Sequence, residues 1–403
     1  MIVKPLGVLL ARGASAAAGI ASALWTFPSM LLSAFLVAWG AEAAQFLVSQ
    51  GLALAVLAWL QTLPEFAVEA VIAWEAGKDP RTSHLAIANL TGAIRLLLGL
   101  GWPMIYFVFA FSARRRGAAG WPTIQLKPQH AIEVVGLVPP LLYFIVIVVK
   151  QSIGWIDAIV LLLLYVGYLW ALLLQPPEDA EEVADAPRVS QWAYRQRGWR
   201  QKAAIGGLFA AGGFLLYVTA HPFLESMLAL AALLGVSQFV LVQWVAPFLS
   251  EFPEKVSAFL WARRVTHAPM ALMNMVSSNI NQWTVLAAMI PLVFGYSHYH
   301  HTGTWADFPF DAAQRLEIIL TLLQTALAMV VLFNMEFNWR DATGLFALWA
   351  IQFFVPDLRL VVSIAYAVWI VVLLLGFLIY KRPVLAVQYA AAALRKKRSA
   401  GST

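Results

Sequence analysis

The sequence has no cysteine and few charged residues. Among its 403 residues, Asp, Glu, Lys and Arg together make up 12%, against about a quarter in soluble domains. The missing thiols exclude disulfides, thiolate zinc sites and cysteine nucleophiles. The low charge content excludes an ordinary soluble enzyme and a disordered chain. The net charge of +6 is small and scattered along the chain, so binding of nucleic acid is not expected.

Long apolar segments run from one end of the sequence to the other. Hydrophobic residues make up 61% of the chain, and the mean hydropathy is +0.75. A spanning helix needs about 20 mostly apolar residues, which predicts an all-α integral membrane protein with about eleven transmembrane helices. We expect residues 1–23 to form a short interfacial helix, because charged residues interrupt their apolar run. The predicted spans are 24–47, 50–76, 84–112, 131–150, 154–174, 205–230, 236–262, 266–294, 312–334, 341–356 and 360–380.

The positions of lysine and arginine predict an orientation for this multi-pass chain. With the N-terminus outside, 18 of the 27 basic residues fall in inner loops and 7 in outer loops. Because cytoplasmic loops are enriched in lysine and arginine, we expect an outer N-terminus and a cytoplasmic C-terminus. The membrane would be a bacterial-type inner membrane or a plasma membrane. The largest polar loop, residues 175–204, then lies in the cytoplasm.

Two segments resemble each other and indicate an internal repeat. The second predicted helix has a Pro-Glu pair ending at Glu65, and the seventh has one ending at Glu254, 189 residues later. Asn89 and Asn274 follow in the next helix of each copy. An odd number of helices separates equivalent points, which inverts the second copy, as in many secondary transporters. The expected units are a first five-helix repeat (1–174), a cytoplasmic loop (175–204), a second, inverted repeat (205–358), and an extra helix with a basic tail (359–403).

The two Pro-Glu pairs place carboxylates inside the membrane, where each needs a cation, a proton or a basic partner. Proline also frees a backbone carbonyl oxygen that can face a cation. Such oxygens form the kind of site that Na⁺ and Ca²⁺ prefer, so we expect no cofactor beyond one of these ions. The alternative is a pair of structural kinks with protonated acids. The candidate ligands are Gln61, Thr62, Glu65, Asn89, Ser250, Glu251, Glu254, Asn274, Ser278 and Gln282.

These motifs resemble those of the cation/calcium antiporter superfamily, which includes the sodium/calcium exchangers. Each repeat of that family has a Gly-Thr-Ser-x-Pro-Glu-like motif, followed on the next helix by a Gly-Asn-x-x-Gly-Ser-Asn-like motif. The first copy here reads Leu60-Gln61-Thr62-Leu63-Pro64-Glu65 and Ala88-Asn89-Leu90-Thr91-Gly92-Ala93-Ile94. The second reads Leu249-Ser250-Glu251-Phe252-Pro253-Glu254 and Met273-Asn274-Met275-Val276-Ser277-Ser278-Asn279.

The resemblance implies a divergent secondary cation antiporter, not an enzyme. Such a protein would exchange Ca²⁺ or another cation against Na⁺ or H⁺ by alternating access. Glu65 and Glu254 would be the central ligands, with Thr62 and Ser250 as hydroxyl ligands. The second, third, seventh and eighth helices would hold the site, while the first and sixth slide against them. The implied partners are the lipid bilayer and inorganic cations.

The first copy departs from the family pattern, because the family's Ser-Asn pair falls on the apolar residues 93–94. Arg95 lies directly beside this position. It either pairs with Glu65 or Glu69 as an internal cation that replaces a transported ion, or it faces away and pairs structurally. If Arg95 and Lys255 neutralise the site, the protein would instead be a degenerate exchanger that serves as a scaffold or subunit of a membrane complex.

Two further polar groups have a functional and a structural interpretation. The histidine-rich segment 298–301 could bind a transition metal, although histidines at a membrane interface are more common. His221 and Glu225 lie four residues apart in the sixth predicted helix. They would act as a proton relay or form a buried pair, and the buried pair is favoured.

Overall fold

Helices make up nearly all of the regular structure in a computed structural model of the chain. The predicted all-α fold class is confirmed. The structure describes residues 3–47, 59–60, 62–173, 186–381 and 383–400.

The first half of the chain opens with a 42-residue helix. This helix begins at Val3, so the prediction of a separate interfacial helix over residues 1–23 is wrong. The stretch 14–19 is rich in alanine, the strongest helix former, and the helix continues through it. The helices of this half are α1 (Val3–Ala44), α2 (Leu63–Lys78), α3 (Ser83–Leu96), the π-helix Leu97–Gly101, α4 (Trp102–Arg115), α5 (Ala131–Gly136), α6 (Val138–Lys150) and α7 (Trp155–Leu173).

The second half contains the remaining ten α-helices of the described residues. They are α8 (Arg188–Arg195), α9 (Trp199–Leu234), α10 (Gln238–Ser250), α11 (Phe252–Arg263), α12 (Ala268–Asn281), the π-helix Gln282–Leu286, α13 (Ala287–Thr302), α14 (Ala312–Val331), α15 (Trp339–Phe354), α16 (Arg359–Ile379) and α17 (Leu385–Ala400). Short 3₁₀ turns lie at Gln45–Leu47, Pro80–Thr82, Pro128–His130, Leu332–Asn334 and Pro356–Leu358.

Seven helices of the described residues are long and apolar enough to cross a membrane. The other predicted spans differ for identifiable reasons. The second lies partly outside the described residues, and the seventh is divided into α10 and α11. The eighth is interrupted by many polar side chains, and α15 has 16 residues. The count of eleven spans therefore stays a prediction.

Two short antiparallel strand pairs join loops that are distant in the sequence. Strand β1 (Ile124–Gln125) pairs with β4 (Glu336–Phe337), which joins the loop after α4 to the loop before α15. Strand β2 (Ser152–Ile153) pairs with β3 (Phe308–Pro309), which joins the loop after α6 to the loop before α14. Each pair therefore requires its two loops to lie on the same side of the helical bundle.

Helices α1 and α9 pack along each other. Their contact includes hydroxyl groups, since Ser22 and Ser226 are 2.7 Å apart and Thr26 donates to Ser226 at 3.1 Å. The rings of Phe27 and Phe223 meet edge to face at 5.2 Å. In contrast, α16 is mostly apolar after Arg359, its first residue, and little of it is buried, as expected for a helix that faces lipid.

Glycine allows α3 to approach α10 closely. A Cβ atom built on Gly92 would lie 1.8 Å from the carbonyl oxygen of Gln243, so no larger residue fits without moving a helix. Gly92 is also part of the second motif of the first copy. The position of α10 against the motif helix therefore depends on this missing side chain.

We predict that Gly92→Ala destabilises the folded protein by about 1–3 kcal/mol or more, as overpacking of a core does. Gly213→Ala is the matched control, because Gly213 is a helical glycine of α9 with nothing within 4 Å of its Cβ position. The control should keep or raise the melting temperature, measured by size-exclusion chromatography after heating in detergent. Equal melting temperatures for the two variants would contradict the close approach.

Candidate cation-binding site

Both Pro-Glu pairs lie at the start of a helix inside the bundle. Glu65 is in the first turn of α2, and Glu254 is in the first turn of α11. Proline is compatible with this position because the first helical turn leaves its backbone N–H groups unpaired. Glu251 lies between α10 and α11 with φ −97° and ψ 4°, outside both helices. The breaks therefore bring carboxylates to helix N-termini, where the helix dipole stabilises negative charge.

The helices that carry the asparagines have the same form in both copies. Helices α3 and α12 have 14 residues each, and a five-residue π-helix follows each of them. They begin at Ser83 and Ala268, 185 residues apart. This spacing pairs Asn89 with Asn274. Single π-turns inside helices are frequent at functional sites, because they rotate the side chains that follow.

Each asparagine donates a hydrogen bond to a glutamate 20 residues earlier. Asn274 Nδ2 is 3.3 Å from Glu254 Oε1, which also accepts from Ser278 Oγ at 2.6 Å. Asn89 Nδ2 is 2.6 Å from an oxygen of Glu69 rather than of Glu65. Asn274 and Glu254 are both predicted ligands, whereas Glu69 was absent from the predicted ligands. The equal spacing of 20 residues is the sequence signal that could have identified it.

Gln282 connects the two Pro-Glu breaks. Its Nε2 atom donates to both carboxylate oxygens of Glu65, at 3.2 and 3.3 Å, and to Glu251 Oε1 at 2.9 Å. The neighbouring Asn281 donates from Nδ2 to Thr62 Oγ1 at 2.6 Å. Residues of the second copy therefore reach across to the break of the first copy. The first copy cannot donate an equivalent hydrogen bond from this position, because Leu97 stands where the second copy has Gln282.

Four buried carboxylates form the centre of this cluster. The side chains of Glu65, Glu69, Glu251 and Glu254 belong to residues that are at most 2% exposed. Glu65 is within Coulombic range of the other three. Like charges at this distance in a medium of low dielectric repel strongly, so the group requires positive charge or protons. We refer to these four residues as the carboxylate cluster.

Several oxygens beside the carboxylate cluster have no donor. The buried atoms Glu69 Oε1, Asn274 Oδ1 and Asn281 Oδ1 accept no hydrogen bond from the described residues. Ser250 donates its hydroxyl hydrogen to the carbonyl oxygen of Ala246 at 3.0 Å, and in the described residues no hydrogen bond joins this predicted ligand to the carboxylate cluster. Buried acceptors without donors are costly unless a cation or water meets them. The donor set is made of carboxylate, amide and hydroxyl oxygens, which fits a hard cation.

The predicted site residues are thus largely brought together. Two local groups share the cluster: Thr62, Glu65, Glu251 and Gln282 around the breaks, and Glu254, Asn274 and Ser278 on the second-copy helices. Asn89 joins through Glu69. Gln61 lies outside the described residues.

Arg95 faces away from the carboxylate cluster. Its guanidinium lies on Glu317 of α14, with Nη2 at 2.5 Å from Oε2, and not on Glu65 or Glu69. The interpretation of Arg95 as an internal cation of the site is therefore wrong. The physical reason is helical geometry, since Arg95 lies about 160–200° around α3 from the stripe that continues to Ala93 and Leu97.

Arg95 and Arg359 share one carboxylate. Arg359 Nη1 is 2.5 Å from Glu317 Oε1, and Gln243 donates to Oε2 at 3.0 Å. Arg95 also donates from Nη1 to Gln352 at 2.9 Å. Because the buried guanidinium groups meet carboxylate and amide oxygens, their burial is compensated. This cluster joins five helices, α3, α10, α14, α15 and α16.

The two other polar groups singled out in the sequence are segment 298–301 and the pair His221–Glu225. No group of three potential metal ligands of the His, Cys, Asp or Glu type occurs in the described residues, so the metal interpretation of segment 298–301 is not supported. His221 lies 3.7 Å from Glu225 and 3.5 Å from Glu75. The side chains of His221 and Glu225 are 51% and 68% exposed, so the prediction of a buried pair is wrong.

The comparisons with known proteins identify related chains. The sequence profile described as "Sodium/calcium exchanger protein" matches residues 15–174 and 205–356. The structure described as the H⁺/Ca²⁺ exchanger CAX is similar with a TM-score of 0.84 and 26% identity, and the match covers 99% of both chains. No curated protein matches the sequence at the stringency applied.

The sodium-calcium exchanger NCX_Mj has a similar fold. One structure of it, soaked with 2.5 mM Na⁺ and 10 mM Sr²⁺, gives a TM-score of 0.53 at 18% identity, covering 84% of this chain and 99% of that chain. A second, soaked with 100 mM Na⁺ and 10 mM Sr²⁺, gives 0.54 at 19% identity over the same shares. At this identity the likeness concerns the fold alone.

We predict that Glu317→Gln destabilises the protein by about 3–5 kcal/mol, because it leaves the buried guanidinium of Arg95 and the partly buried one of Arg359 without their anion. Asp79→Asn is the control, since it removes one partner of the exposed Asp79–Arg81 pair and should leave stability unchanged. Thermal unfolding in detergent measures both. An unchanged melting temperature for Glu317→Gln would show that the arginine cluster does not hold α16 to the bundle.

Proposed function

Because the chain belongs to the sodium/calcium exchanger family of membrane transport proteins, we propose that it is a secondary antiporter that exchanges Ca²⁺ against H⁺. The observation that carries the proposal is the carboxylate cluster, in which one amide of Gln282 bridges Glu65 and Glu251 across the two copies. Carboxylates bind either a hard divalent cation or protons, and both cannot occupy them together. That competition is the basis of exchange.

Protons are preferred to Na⁺ as the coupling ion for two reasons. The likeness to the H⁺/Ca²⁺ exchanger extends over 99% of both chains at 26% identity, whereas the likeness to the Na⁺/Ca²⁺ exchanger is more distant. In addition, the first copy has apolar side chains at Ala93, Ile94 and Leu97, so it offers few oxygens for several Na⁺ ions. A proton needs only the carboxylate itself.

The arrangement proposed for the chain is two inverted repeats with a site at their meeting point. The equal lengths and the 185-residue spacing of α3 and α12 support equivalent units. The two strand pairs support the sidedness, since the predicted topology places six helices between β1 and β4 and four between β2 and β3. In this arrangement, units 1–174 and 205–358 are the repeats, and 359–403 is an addition.

Alternating access would then be a movement of α1 and α9 against the helices that hold the carboxylates. The two helices contact each other through hydroxyl groups and small residues, and Gly19 meets Ala229 closely enough that a Cβ atom would lie 2.7 Å away. Glu42 of α1 accepts from Ser257 of α11 at 2.7 Å, which joins the moving helix to the site. Side-chain contacts of this kind can exchange partners without unfolding a helix.

A scaffold without transport is the less favoured alternative. It requires both Arg95 and Lys255 to neutralise the glutamates, and Arg95 instead lies on Glu317. Lys255 pairs with Glu251 and leaves the oxygens of Glu69 and Glu254 to other partners. Within the part of the chain that the structure describes, the carboxylate cluster therefore keeps acids without a lysine or arginine partner, which supports a function in binding cations.

We predict that Glu65→Gln and Glu254→Gln each abolish Ca²⁺ transport in proteoliposomes driven by a pH gradient. Glutamine keeps the shape of the side chain but removes the charge that balances the cation. Glu225→Gln is the control, because the side chain of Glu225 is 68% exposed and does not belong to the carboxylate cluster. Both site variants should elute as folded protein in detergent, and Ca²⁺ uptake at the parent rate in either would refute the assigned role.

The same vesicles identify the coupling ion. Ca²⁺ uptake should follow an imposed pH gradient and should be indifferent to a Na⁺ gradient at constant pH. Uptake that follows the Na⁺ gradient would assign Na⁺ as the counter-ion instead. A parent protein that moves no cation under any gradient would favour the scaffold.

The orientation is tested with single cysteines, because the chain has none of its own. Ala118 lies in the loop after α4 and Thr304 in the loop before α14, and both are exposed. We predict that an impermeant maleimide labels Thr304→Cys in intact cells and labels Ala118→Cys only after lysis. The reverse pattern would place the C-terminus outside.

A further inference from the structure

The arginine cluster around Glu317 contains more positive than negative charge. Arg95 Nη2 and Arg359 Nη1 each lie 2.5 Å from one of the two oxygens of the Glu317 carboxylate. Two guanidinium groups therefore share one carboxylate, which leaves one positive charge without a counter-charge. Because arginine stays protonated in proteins, the cluster cannot lose this charge by releasing a proton.

Among the described residues, no second acid forms an ion pair with either arginine. Asp357 lies two residues before Arg359, but it is exposed and forms no ion pair in this part of the chain. The other hydrogen-bond partners of the two guanidinium groups are amides. Arg95 donates to Gln352 at 2.9 Å, and Arg359 donates to Gln243 at 3.2 Å. An amide oxygen accepts a hydrogen bond without balancing a charge.

The excess charge lies in a largely buried position. The side chain of Arg95 is 0% exposed, and that of Arg359 is 16% exposed. The two guanidinium groups lie over the rings of Trp244 and Phe239, at 5.2 and 5.4 Å from the ring centroids. A ring attracts a cation but has no net charge, so the cost of burying the second cation is offset only in part. A counter-ion from outside the chain would reach Arg359, the more exposed of the two arginines.

The cluster also contains hydrogen-bond donors that are not used. Arg359 Nη1 and Nη2 meet Glu317 and Gln243, whereas its Nε atom is buried and has no hydrogen-bond partner in the described residues. The hydroxyl group of Tyr366, within Coulombic range of Arg95, is likewise buried without a hydrogen bond of normal geometry. Buried polar groups are normally paired. An arginine N–H can only donate, so the missing partner of Arg359 is an acceptor.

We propose that the arginine cluster binds one singly charged anion at Arg359. The anion accepts a hydrogen bond from Nε and completes a set of two positive and two negative charges. Chloride and the phosphodiester of a lipid headgroup both have this chemistry. Chloride would enter from water, and a headgroup would come from the bilayer, which α16 faces. The anion site shares no residue with the carboxylate cluster and does not depend on the proposed cation exchange.

Thermal unfolding of the purified protein in a neutral, lipid-free detergent measures the binding of either anion. In one series, chloride replaces gluconate, a bulky anion, at constant ionic strength. In the other, phosphatidylglycerol, which has one negative charge, is added in gluconate buffer, and phosphatidylcholine, which has no net charge, is the comparison. We expect one of the two anions to raise the melting temperature of the parent increasingly with its concentration, as binding to the folded state alone requires.

Two variants remove the excess charge in different ways. Arg359→Gln deletes the second cation and leaves Arg95 paired with Glu317. Gln352→Glu keeps both arginines and places a second carboxylate, of nearly the same shape as the amide, beside Arg95. We predict that both variants lose the anion-dependent rise in melting temperature. Arg340→Gln is the matched control and should keep the rise, because Arg340 is an exposed arginine in the first turn of α15, outside the cluster.

The outcomes separate the sources of the anion and decide the proposal. A rise with chloride that both variants lose assigns a small ion, and a rise with phosphatidylglycerol that both lose assigns a lipid headgroup. The proposal is overturned by a parent that responds to neither anion, by a rise of parent size in either variant, or by loss of the rise in Arg340→Gln as well. If Arg359→Gln does not fold, Gln352→Glu decides alone, because it removes no arginine.

Discussion

The cost of burying carboxylates away from water is the constraint on which this structure depends. Four glutamates lie buried in the bundle, Glu65 close to the other three, and each needs a donor, a proton or a cation. That requirement is met in part by the helix breaks at the Pro-Glu pairs, by the asparagines 20 residues beyond Glu69 and Glu254, by Gln282 and by Lys255. The requirement is not met completely, and the remaining deficit of positive charge suits a protein that binds cations and releases them.

The sequence predicts well those features that neighbouring residues determine. Proline next to glutamate fixes the start of α2 and α11, and the apolar runs fix the helical class. The Pro-Glu pair alone does not identify the partner of Asn89, because the first copy uses Glu69, one turn further along, as the acceptor; only the spacing of 20 residues that it shares with Glu254 and Asn274 points to it. The choice depends on how the two helices are staggered, which is a tertiary property.

The partner of Arg95 likewise depends on tertiary structure. Its sequence position, beside a degraded motif, left pairing with the site and pairing elsewhere equally open. The angle around α3 favours the far face, but only the presence of Glu317 on α14, more than two hundred residues later, decides it. Long-range partners of this kind leave no periodic signal. The start of α1 at Val3 is a different case, in which the helix propensity of an alanine-rich stretch outweighed two isolated charges.

The strand pairs β1–β4 and β2–β3 join loops of the bundle that are distant in the sequence. They tie four loops by backbone hydrogen bonds, one pair at each end of α6 and α14. In the described residues, no backbone hydrogen bond ties α1 or α9 to another element, and these two helices are held by side chains. The strand pairs thus brace α6 and α14, whereas the described part of α1 and α9 meets its neighbours through side chains. In the exchange cycle proposed above, a rigid displacement of α1 and α9 would leave the distances between the four glutamates unchanged, so that access to them would alternate while their geometry stays constant.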